Sequence, residues 1–307
     1  MPGRVFHLIP HTHWDREWYQ PRAAFVARLV PMLDDLIARL EADPAFTSFL
    51  LDGQTIHLED YLRVRPERAD AVRMLVHSGR LQTGPWYVLA DELIPSGESL
   101  VRNLLLGSAQ ASALGGRSEA LYSPDAFGHP AAWPSLAREF GLGVGALWRG
   151  RRGTSDLFRW RARDGAEVVV YHLPPAGYEI GGALPAEASA LAREWPAVRE
   201  VLVSRAATRH IAVFVGADHH AAHPDLPQLR RLLVDVEGAR DPASEVRISR
   251  LDEFLAIAAD EAQELPLVEG ELRDSAGYTW SLQGVHGTRA PLKRRNAVAE
   301  LWLQRFA

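Results

Sequence analysis

The sequence predicts an α/β fold with a mainly parallel sheet. Across its 307 residues, short apolar runs alternate with segments of helical periodicity, and no internal repeat or low-complexity tract interrupts them. The apolar runs are continuous, which is typical of parallel strands that are buried on both faces. Several of these runs end in clusters of His, Asp and Trp. Active sites of such folds lie beyond the carboxyl ends of the strands, so these clusters are the candidates for function.

The first 140 residues are predicted to form four strands and four helices. The run RVFHLIP is short and apolar, and the segment after it repeats Phe25, Leu29, Leu33 and Leu36 at helical spacing. By the same criteria, the strands are 4–10, 48–53, 81–88 and 120–125, and the helices are 21–41, 66–79, 98–114 and 131–140.

The rest of the chain continues the alternation and adds one hairpin. The predicted strands are 143–150, 156–161, 167–172 and 210–218, and the predicted helices are 226–238 and 251–260. The second and third of these strands are separated by Asp164-Gly165, a dipeptide that favours a tight turn between antiparallel strands.

Composition excludes several classes of function. The chain has 34 Lys and Arg against 39 Asp and Glu, a net charge of −5, and no long basic run, so nucleic acid is not an expected partner. No apolar run reaches the roughly 18 residues of a membrane-spanning helix, so no membrane partner is expected. Cysteine is absent, so any metal must be held by His, Asp or Glu. This composition is compatible with a reducing compartment, and a cytoplasmic location is the expectation.

The cluster HTHWD directly follows the first strand. His13 and Asp15 are two residues apart, and side chains at that spacing point to the same side of an extended segment. An imidazole and a carboxylate on one side form half of a site that zinc would accept. The alternative is a polar turn whose groups satisfy one another by hydrogen bonds.

Two aspartates follow later strands in a similar way. Asp125 comes after Ser123-Pro124, where proline restricts the preceding residue to extended geometry, and it could ligate a metal, attack an electrophile or cap the next helix. Asp218 ends the run HIAVFVGAD, and a carboxyl group against an apolar wall can hold a proton near neutral pH, as a general acid must. The alternative for Asp218 is a turn residue.

Two carboxylates across a cleft, with aromatic side chains nearby, are the arrangement that glycoside hydrolysis requires. Indole rings stack on the apolar face of a sugar while their N–H groups bind hydroxyls. The tryptophans near the polar clusters are Trp14, Trp18, Trp86, Trp133 and Trp148, although a single tryptophan is more often a core residue.

Six segments in order resemble a known family. They are HTHWDREW, LDGQT, GPWYVLADELIPSGESLVRN, YSPDAFGHPAAWP, GADHH and GELRDS with TRAPLKRRN. Together they resemble the N-terminal catalytic domain of glycoside hydrolase family 38, the zinc-dependent retaining α-mannosidases. The resemblance is strongest to bacterial members, including those that act on mannosylglycerate-type substrates. It implies a distorted seven-stranded α/β barrel with a mainly parallel sheet, one Zn²⁺ per chain, and an α-mannoside or mannosylglycerate-type substrate.

The resemblance also implies roles for individual residues. His13, Asp15 and Asp125 would bind zinc, Asp125 would also be the nucleophile, and Asp218 would be the acid/base. Five further residues are implied as substrate-binding or as partners of the catalytic groups: Trp18 beneath the sugar, Arg149 beside Asp125, Tyr178 at the sugar, and Trp86 and Asp91 within the third motif.

The family's fourth zinc ligand is a histidine, and the motif TRAPLK places Leu282 where many members have it. His286 lies four residues later between glycine-containing segments, and it is favoured as the substitute. His219 is the alternative, but neighbours on a strand face opposite ways, so a cleft that Asp218 faces should exclude its neighbour. A site with three protein ligands also remains open.

The resemblance divides the chain at about residue 290. Residues 1–290 would be the catalytic domain, and 291–307 would begin a helical middle domain that is cut short. Two other functions remain open: another metal-dependent carbohydrate hydrolase such as a polysaccharide deacetylase, and an inactive sugar-binding domain. A homo-oligomer is possible on this sequence.

Overall fold

A computed structural model describes residues 3–306. Its strands are β1 (Val5–Thr12), β2 (Phe49–Leu51), β3 (Leu81–Gln82), β4 (Ala120–Ser123), β5 (Val144–Leu147), β6 (Leu157–Arg161), β7 (Glu167–His172), β8 (His210–Val215), β9 (Glu245–Ile248) and β10 (Leu267–Glu269). Its α-helices are α1 (Arg22–Ala42), α2 (Ile56–Val64), α3 (Ala69–His77), α4 (Gly97–Leu114), α5 (Trp133–Glu139), α6 (Ala188–Val203), α7 (Leu226–Arg240), α8 (Leu251–Glu261) and α9 (Ala290–Phe306).

The strands form two sheets of five strands each. The first has the order β3-β2-β1-β8, with β9 also paired to β1, and all its pairs are parallel. The second has the order β10-β6-β7-β5-β4, and its one antiparallel pair is β6 with β7. This pair is the hairpin that Asp164-Gly165 predicts. The α/β fold with mainly parallel strands is therefore confirmed.

The closed seven-stranded barrel is not observed. Among the described residues, β4 and β8 each pair with one neighbour only, so the two sheets do not join through backbone hydrogen bonds. Bulky side chains occupy the space between them instead. The ring of Tyr122 on β4 stacks on Phe214 of β8 with centroids 6.1 Å apart, and both residues belong to one buried cluster. Periodicity within strands cannot reveal such a gap, because it reports which faces are buried and not which edges meet.

One predicted strand is mostly irregular. The segment 81–88 contains only the short β3 and, beyond it, one parallel bridge between Trp86 and Gln54. A side chain holds the residues that follow. The amide oxygen of Asn103 on α4 accepts from the backbone N–H groups of Tyr87 and Val88 at 2.8 and 3.1 Å. An asparagine in a helix therefore accepts the backbone hydrogen bonds that a neighbouring strand would have accepted.

Two helices of the structure, α2 and α6, were absent from the prediction.

The described helices include no candidate for crossing a membrane. Within residues 3–306, none combines the length and the apolar character that a spanning segment needs.

Candidate active site

The ends of β1 and β8 bring two of the predicted residues together. Beyond the regular strands, the pairing continues as an isolated bridge between His13 and Asp218, with the His219 N–H donating to the His13 carbonyl at 2.8 Å. Gly216 permits this close approach, because a β-carbon there would lie 2.0 Å from the backbone oxygen of His11. The glycine of the GADHH motif therefore lets the chain pass close to β1, which places Asp218 in the site.

His13 is oriented by Asp52, a residue to which the sequence assigned no role. Oδ1 of Asp52 lies 3.0 Å from Nδ1 of His13, and Oδ2 accepts from the Trp14 N–H and the Gln54 amide, each at 2.8 Å. Asp52 is fully buried, so its charge is held by these three donors. The motif LDGQT is therefore the orienting partner of the motif HTHWD. A carboxylate directly after the second strand was the available signal.

The other nitrogen of His13 has no protein partner. His13 is 4 % exposed and its Nε2 makes no hydrogen bond, yet it lies 3.8 Å from Oδ1 of Asp15 and 4.0 Å from Oδ2 of Asp125. Burial acts to lower the pKa of His13, but the carboxylates of Asp52, Asp125 and Asp15 outweigh it and raise this pKa to about 10. The cluster therefore favours a positive charge at the point where these side chains converge.

These three side chains fit a zinc ion in their chemistry but are too far apart to hold one as they stand. Ligands about 2.0–2.2 Å from a tetrahedral zinc are roughly 3.3–3.5 Å from one another, so the His13, Asp15 and Asp125 donors are about half an ångström too far apart. Consistent with that spacing, residues 3–306 contain no group of three or more His, Asp or Glu side chains placed so that it could hold a metal ion. An orphaned buried nitrogen that faces two carboxylates nevertheless matches the donor set that zinc prefers.

The structure does not place His286 with this cluster. Its Nε2 lies 4.0 Å from Oδ1 of Asp91, and within the described chain neither Asp15 nor Asp125 lies within 4 Å of it. The preference for His286 as fourth ligand is therefore not supported. Strand alternation does not exclude His219 from the cluster, because its φ is +53° and its side chain does not alternate with that of Asp218 as on a strand. Its Nε2 lies 3.5 Å from Oδ2 of Asp15, but accepts a hydrogen bond from the Asp15 N–H.

Asp125 is held by Arg149, as the resemblance implied. Nε and Nη2 of Arg149 lie 2.8 and 2.6 Å from Oδ1 of Asp125, and Nη1 donates to Ser281 at 2.9 Å. Because both close contacts go to Oδ1, Oδ2 remains free and faces His13. Burial raises the pKa of Asp125, whereas His13 and Arg149 act to lower it. Arg149 also lies over the ring of Trp148, 3.9 Å from its centroid.

A buried glutamate fixes the segment that carries Asp125. Glu92 accepts from the Ser123 hydroxyl at 2.6 Å and contacts Nδ1 of His129 at 2.7 Å, so it joins the two ends of the loop around the aspartate. Glu92 and His129 are both buried, and the Trp133 N–H also donates to the carboxylate at 3.3 Å. The sequence did not identify Glu92, which stands beside Asp91 in the third motif.

Asp218 is held by the adjacent residues Tyr178 and Glu179. The Tyr178 hydroxyl donates to Oδ1 of Asp218 at 2.8 Å, and the Asp218 N–H donates to Oε1 of Glu179 at 3.2 Å. Burial and the nearby aspartates raise the pKa of Tyr178 far above its usual value, so it remains a donor. Tyr178 thus contacts the predicted acid/base, and Glu179 is a cleft residue that sequence reasoning missed.

The cleft consists of two connected compartments. The Asp91 compartment has a volume of about 200 Å³ and is lined by His13, Leu89, Ala90, Asp91, Ser123, Pro124 and Ala126, together with shared residues. The Asp218 compartment, of about 310 Å³, is lined by Trp18, Trp148, Arg149, Tyr178, Glu179 and Asp218. The shared residues are Asp15, Asp125 and Phe127. All the predicted catalytic residues therefore line one cleft.

The two tryptophans predicted to contact substrate differ in accessibility. Trp18 is 64 % exposed and lines the Asp218 compartment, where its ring is available for stacking. Trp86 is 1 % exposed and packs in a core cluster with Leu100 and Leu104. A sugar cannot stack on a ring that is enclosed in the core, so the prediction for Trp86 is wrong. Its closeness in sequence to polar motifs was a poor guide to its burial.

The chain matches known proteins over almost its whole length. Residues 4–272 match the model described as "Glycosyl hydrolases family 38 N-terminal domain". A protein of Halalkalibacterium halodurans with the name "Putative mannosylglycerate hydrolase" is 33% identical over 95% of this chain and 34% of its own length. "Alpha-mannosidase G" of Dictyostelium discoideum is 24% identical over 78% of this chain and 21% of its own length.

A solved structure supports the same assignment. An alpha-mannosidase from Enterococcus faecalis superposes with a TM-score of 0.83 and 32% identity, covering 88% of this chain and 31% of that one. The chain thus spans about a third of the length of the first relatives it matches. From the family match over residues 4–272 and the 33% identity, the chain belongs to glycosyl hydrolase family 38.

Proposed function

We propose that this chain carries the catalytic centre of a retaining α-mannosidase that uses a zinc ion. The observation that supports this most is the placement of Asp125 and Asp218 in one cleft, each with one oxygen engaged and one free. Family membership and the names of the relatives support α-mannose as the sugar that is released.

Asp125 is the proposed nucleophile. Arg149 fixes the carboxylate, one oxygen of which would attack the anomeric carbon and form a glycosyl ester as the bond to the leaving oxygen breaks. The guanidinium fixes the carboxylate plane and acts with His13 to lower the pKa of Asp125, which burial raises. Glu92 prevents the loop from turning away, because it contacts Ser123 and His129 on either side.

Asp218 is the proposed acid/base. The Tyr178 hydroxyl engages Oδ1, so Oδ2 would donate its proton to the leaving oxygen. In the second step the same carboxylate would remove a proton from water as the water oxygen attacks the anomeric carbon and releases Asp125. Trp18 offers an exposed ring at the same compartment on which the sugar can stack.

His13, Asp15 and Asp125 would hold the zinc ion, with Asp52 orienting His13 from behind. When bound, the ion supplies Lewis-acid binding of sugar hydroxyls. Burial raises the pKa of Asp15 to about 6, with further increases from Asp52, Asp125 and Asp218 and a decrease from His13. A cation at this point would relieve that repulsion between carboxylates.

The test is turnover of a panel of α-mannosides after exhaustive chelation and again after zinc is restored. We expect release of mannose with its α configuration, followed by NMR, and activity that depends on added zinc. A product of inverted configuration would disprove the nucleophile assignment. Release of acetate from acetylated sugars with no cleavage of mannosides would indicate a deacetylase, and sugar binding without turnover of either would indicate a binding domain.

A further inference from the structure

The cleft is strongly acidic. Its lining includes five carboxylates, those of Asp15, Asp91, Asp125, Glu179 and Asp218. Among the described residues that line it, Arg149 is the one Lys or Arg side chain, and Asp125 already engages it. A divalent cation at the His13 cluster would compensate the carboxylates around it, but Glu179 and Asp218 belong to the other compartment. In its proposed role as the acid, Asp218 carries a proton when the substrate enters, so Glu179 supplies the negative charge that the Asp218 compartment presents.

Glu179 lies directly beside the proposed acid. Its Oε1 accepts from the Asp218 N–H at 3.2 Å, and the residue is exposed in the same compartment. Within residues 3–306, no Lys, Arg or His nitrogen lies within 4 Å of the Glu179 carboxylate. Accepting the Asp218 N–H requires only an oxygen atom, which a neutral side chain could provide. Glu179 in addition brings a carboxylate to the lining of the cleft.

The aglycone must occupy this part of the cleft, because the general acid has to reach the leaving oxygen. This step rests on the proposed function, which assigns that role to Asp218. An anionic aglycone would bring its carboxylate next to Glu179, and like charges in a cleft with reduced dielectric repel more strongly than in bulk water. A hydroxyl of a neutral aglycone could instead donate to the glutamate.

We infer that this enzyme acts on α-mannosides with uncharged aglycones, and that Glu179 is the residue that discriminates against anionic ones. The substrate class that fits is a mannoside linked to a neutral sugar or alcohol. Mannosylglycerate, the substrate in the name of the Halalkalibacterium relative, carries a carboxylate and would be disfavoured.

The sharpest comparison uses mannosylglycerate and mannosylglyceramide, which have nearly the same shape and differ in charge at neutral pH. We expect kcat/KM to be roughly tenfold higher for the amide, since tenfold corresponds to one moderate like-charge repulsion of about 1.4 kcal/mol. Glu179→Gln keeps an acceptor for the Asp218 N–H and should bring the two substrates to within roughly twofold. Salt at about 0.5 M should narrow the wild-type ratio by screening.

Glu194→Gln is the matched control. It makes the same charge change at an exposed position of α6 outside the cleft lining, so its substrate ratio should equal that of the wild type. Equal or better cleavage of mannosylglycerate by the wild type would overturn the inference, as would a ratio that Glu179→Gln leaves unchanged.

The inference and the proposed function can fail separately. Cleavage of aryl mannosides with no preference for the amide refutes only the inference. If no mannoside is cleaved, the proposed function fails for this chain, and calorimetric binding of the sulfur-linked analogues of both compounds decides the inference. Tighter binding of the neutral analogue, lost in Glu179→Gln, supports it; equal binding refutes it.

Discussion

The two ends of β1 use histidine in opposite ways. At the amino end, Nδ1 of His7 lies 2.8 Å from the Ser249 hydroxyl and Nε2 lies 2.8 Å from Nδ1 of His210, so both ring nitrogens have partners. Directly after the carboxyl end, Nδ1 of His13 is hydrogen-bonded to Asp52. Its Nε2 has no hydrogen-bond partner and faces Asp15 and Asp125. Both rings are buried, that of His7 on β1 and that of His13 directly after it.

Their electrostatic environments explain the difference. Burial lowers the pKa of His7 to about 3, with help from His210 and Arg247, so the ring is neutral in the fold. Three carboxylates raise the pKa of His13 to about 10 in spite of burial. Burial alone therefore does not identify a functional histidine. A ring nitrogen that has no hydrogen-bond partner and faces several carboxylates does. Changes at the carboxyl end should therefore alter turnover, and changes at the amino end should alter stability.

The largest effect is expected at Asp125. Asp125→Asn retains the size of the side chain but removes the attacking charge, so kcat should fall by at least roughly 1000-fold. Zinc retention after dialysis should also fall, because the same carboxylate is a proposed ligand. The midpoint of urea unfolding should change little, since the residue is at the cleft surface. Near-normal turnover would show that Asp125 is not the nucleophile.

The loss of activity in Asp218→Ala should depend on the leaving group of the substrate. Loss of a general acid typically costs 10²- to 10⁴-fold, so alkyl mannosides should lose about that much activity. Dinitrophenyl mannoside needs no protonation of its leaving group, so its first step should be nearly unaffected, and azide should partly restore the second step. Similar losses on both substrates without azide rescue would assign Asp218 a structural role.

Asp52→Asn tests a residue that does not line the cleft but contacts His13, which does. The amide oxygen of the asparagine would keep the two donors, the Trp14 N–H and the Gln54 amide, so the new N–H₂ would face Nδ1 of His13, which would lose its orienting acceptor. Removal of such an orienting partner typically costs 10- to 100-fold in metal affinity or activity. Excess zinc should restore part of the activity, because a higher zinc concentration offsets a weaker site. If zinc has no effect on turnover, Asp52 does not act through the metal.

Part of this site was predictable from sequence, because strand ends in a parallel sheet converge. The clusters after the first, fourth and later strands identified His13, Asp15, Asp125 and Asp218, and the structure places all four around one cleft. This prediction needed only the positions of apolar runs and the residues after them.

The rest depends on information that periodicity does not contain. The contact between the two sheets at β4 and β8 is made by the rings of Tyr122 and Phe214 and not by backbone hydrogen bonds. His219 turns toward Asp15 because its φ is positive, which a strand pattern cannot show. Asp52 lies within the predicted strand 48–53 and was given no role, since the pattern of apolar residues does not show which side chain a carboxylate will orient. These features follow from packing and backbone geometry in three dimensions.

His7→Leu should have the smallest effect on catalysis and a clear effect on stability. Leucine has a similar volume but leaves the Ser249 hydroxyl and Nδ1 of His210 without partners, which should cost about 1–3 kcal/mol of unfolding free energy. The activity of the folded enzyme should stay within roughly twofold of wild type, because His7 lies at the opposite end of β1 from the cleft.

The pH dependence gives the stricter test of His7. Its pKa is about 3 in the fold and 6.5 when exposed, so below pH 6.5 the unfolded chain binds a proton that the folded chain does not. His7 therefore stabilises the fold fully above pH 6.5, and this contribution is lost as the pH falls from 6.5 toward 3, by up to about 1.4 kcal/mol per pH unit. Urea unfolding at pH 7, 6, 5 and 4 should show a shallower decline for His7→Leu than for wild type. Parallel declines would mean that His7 is protonated in the folded state, and the contrast between the two ends of β1 would then not hold.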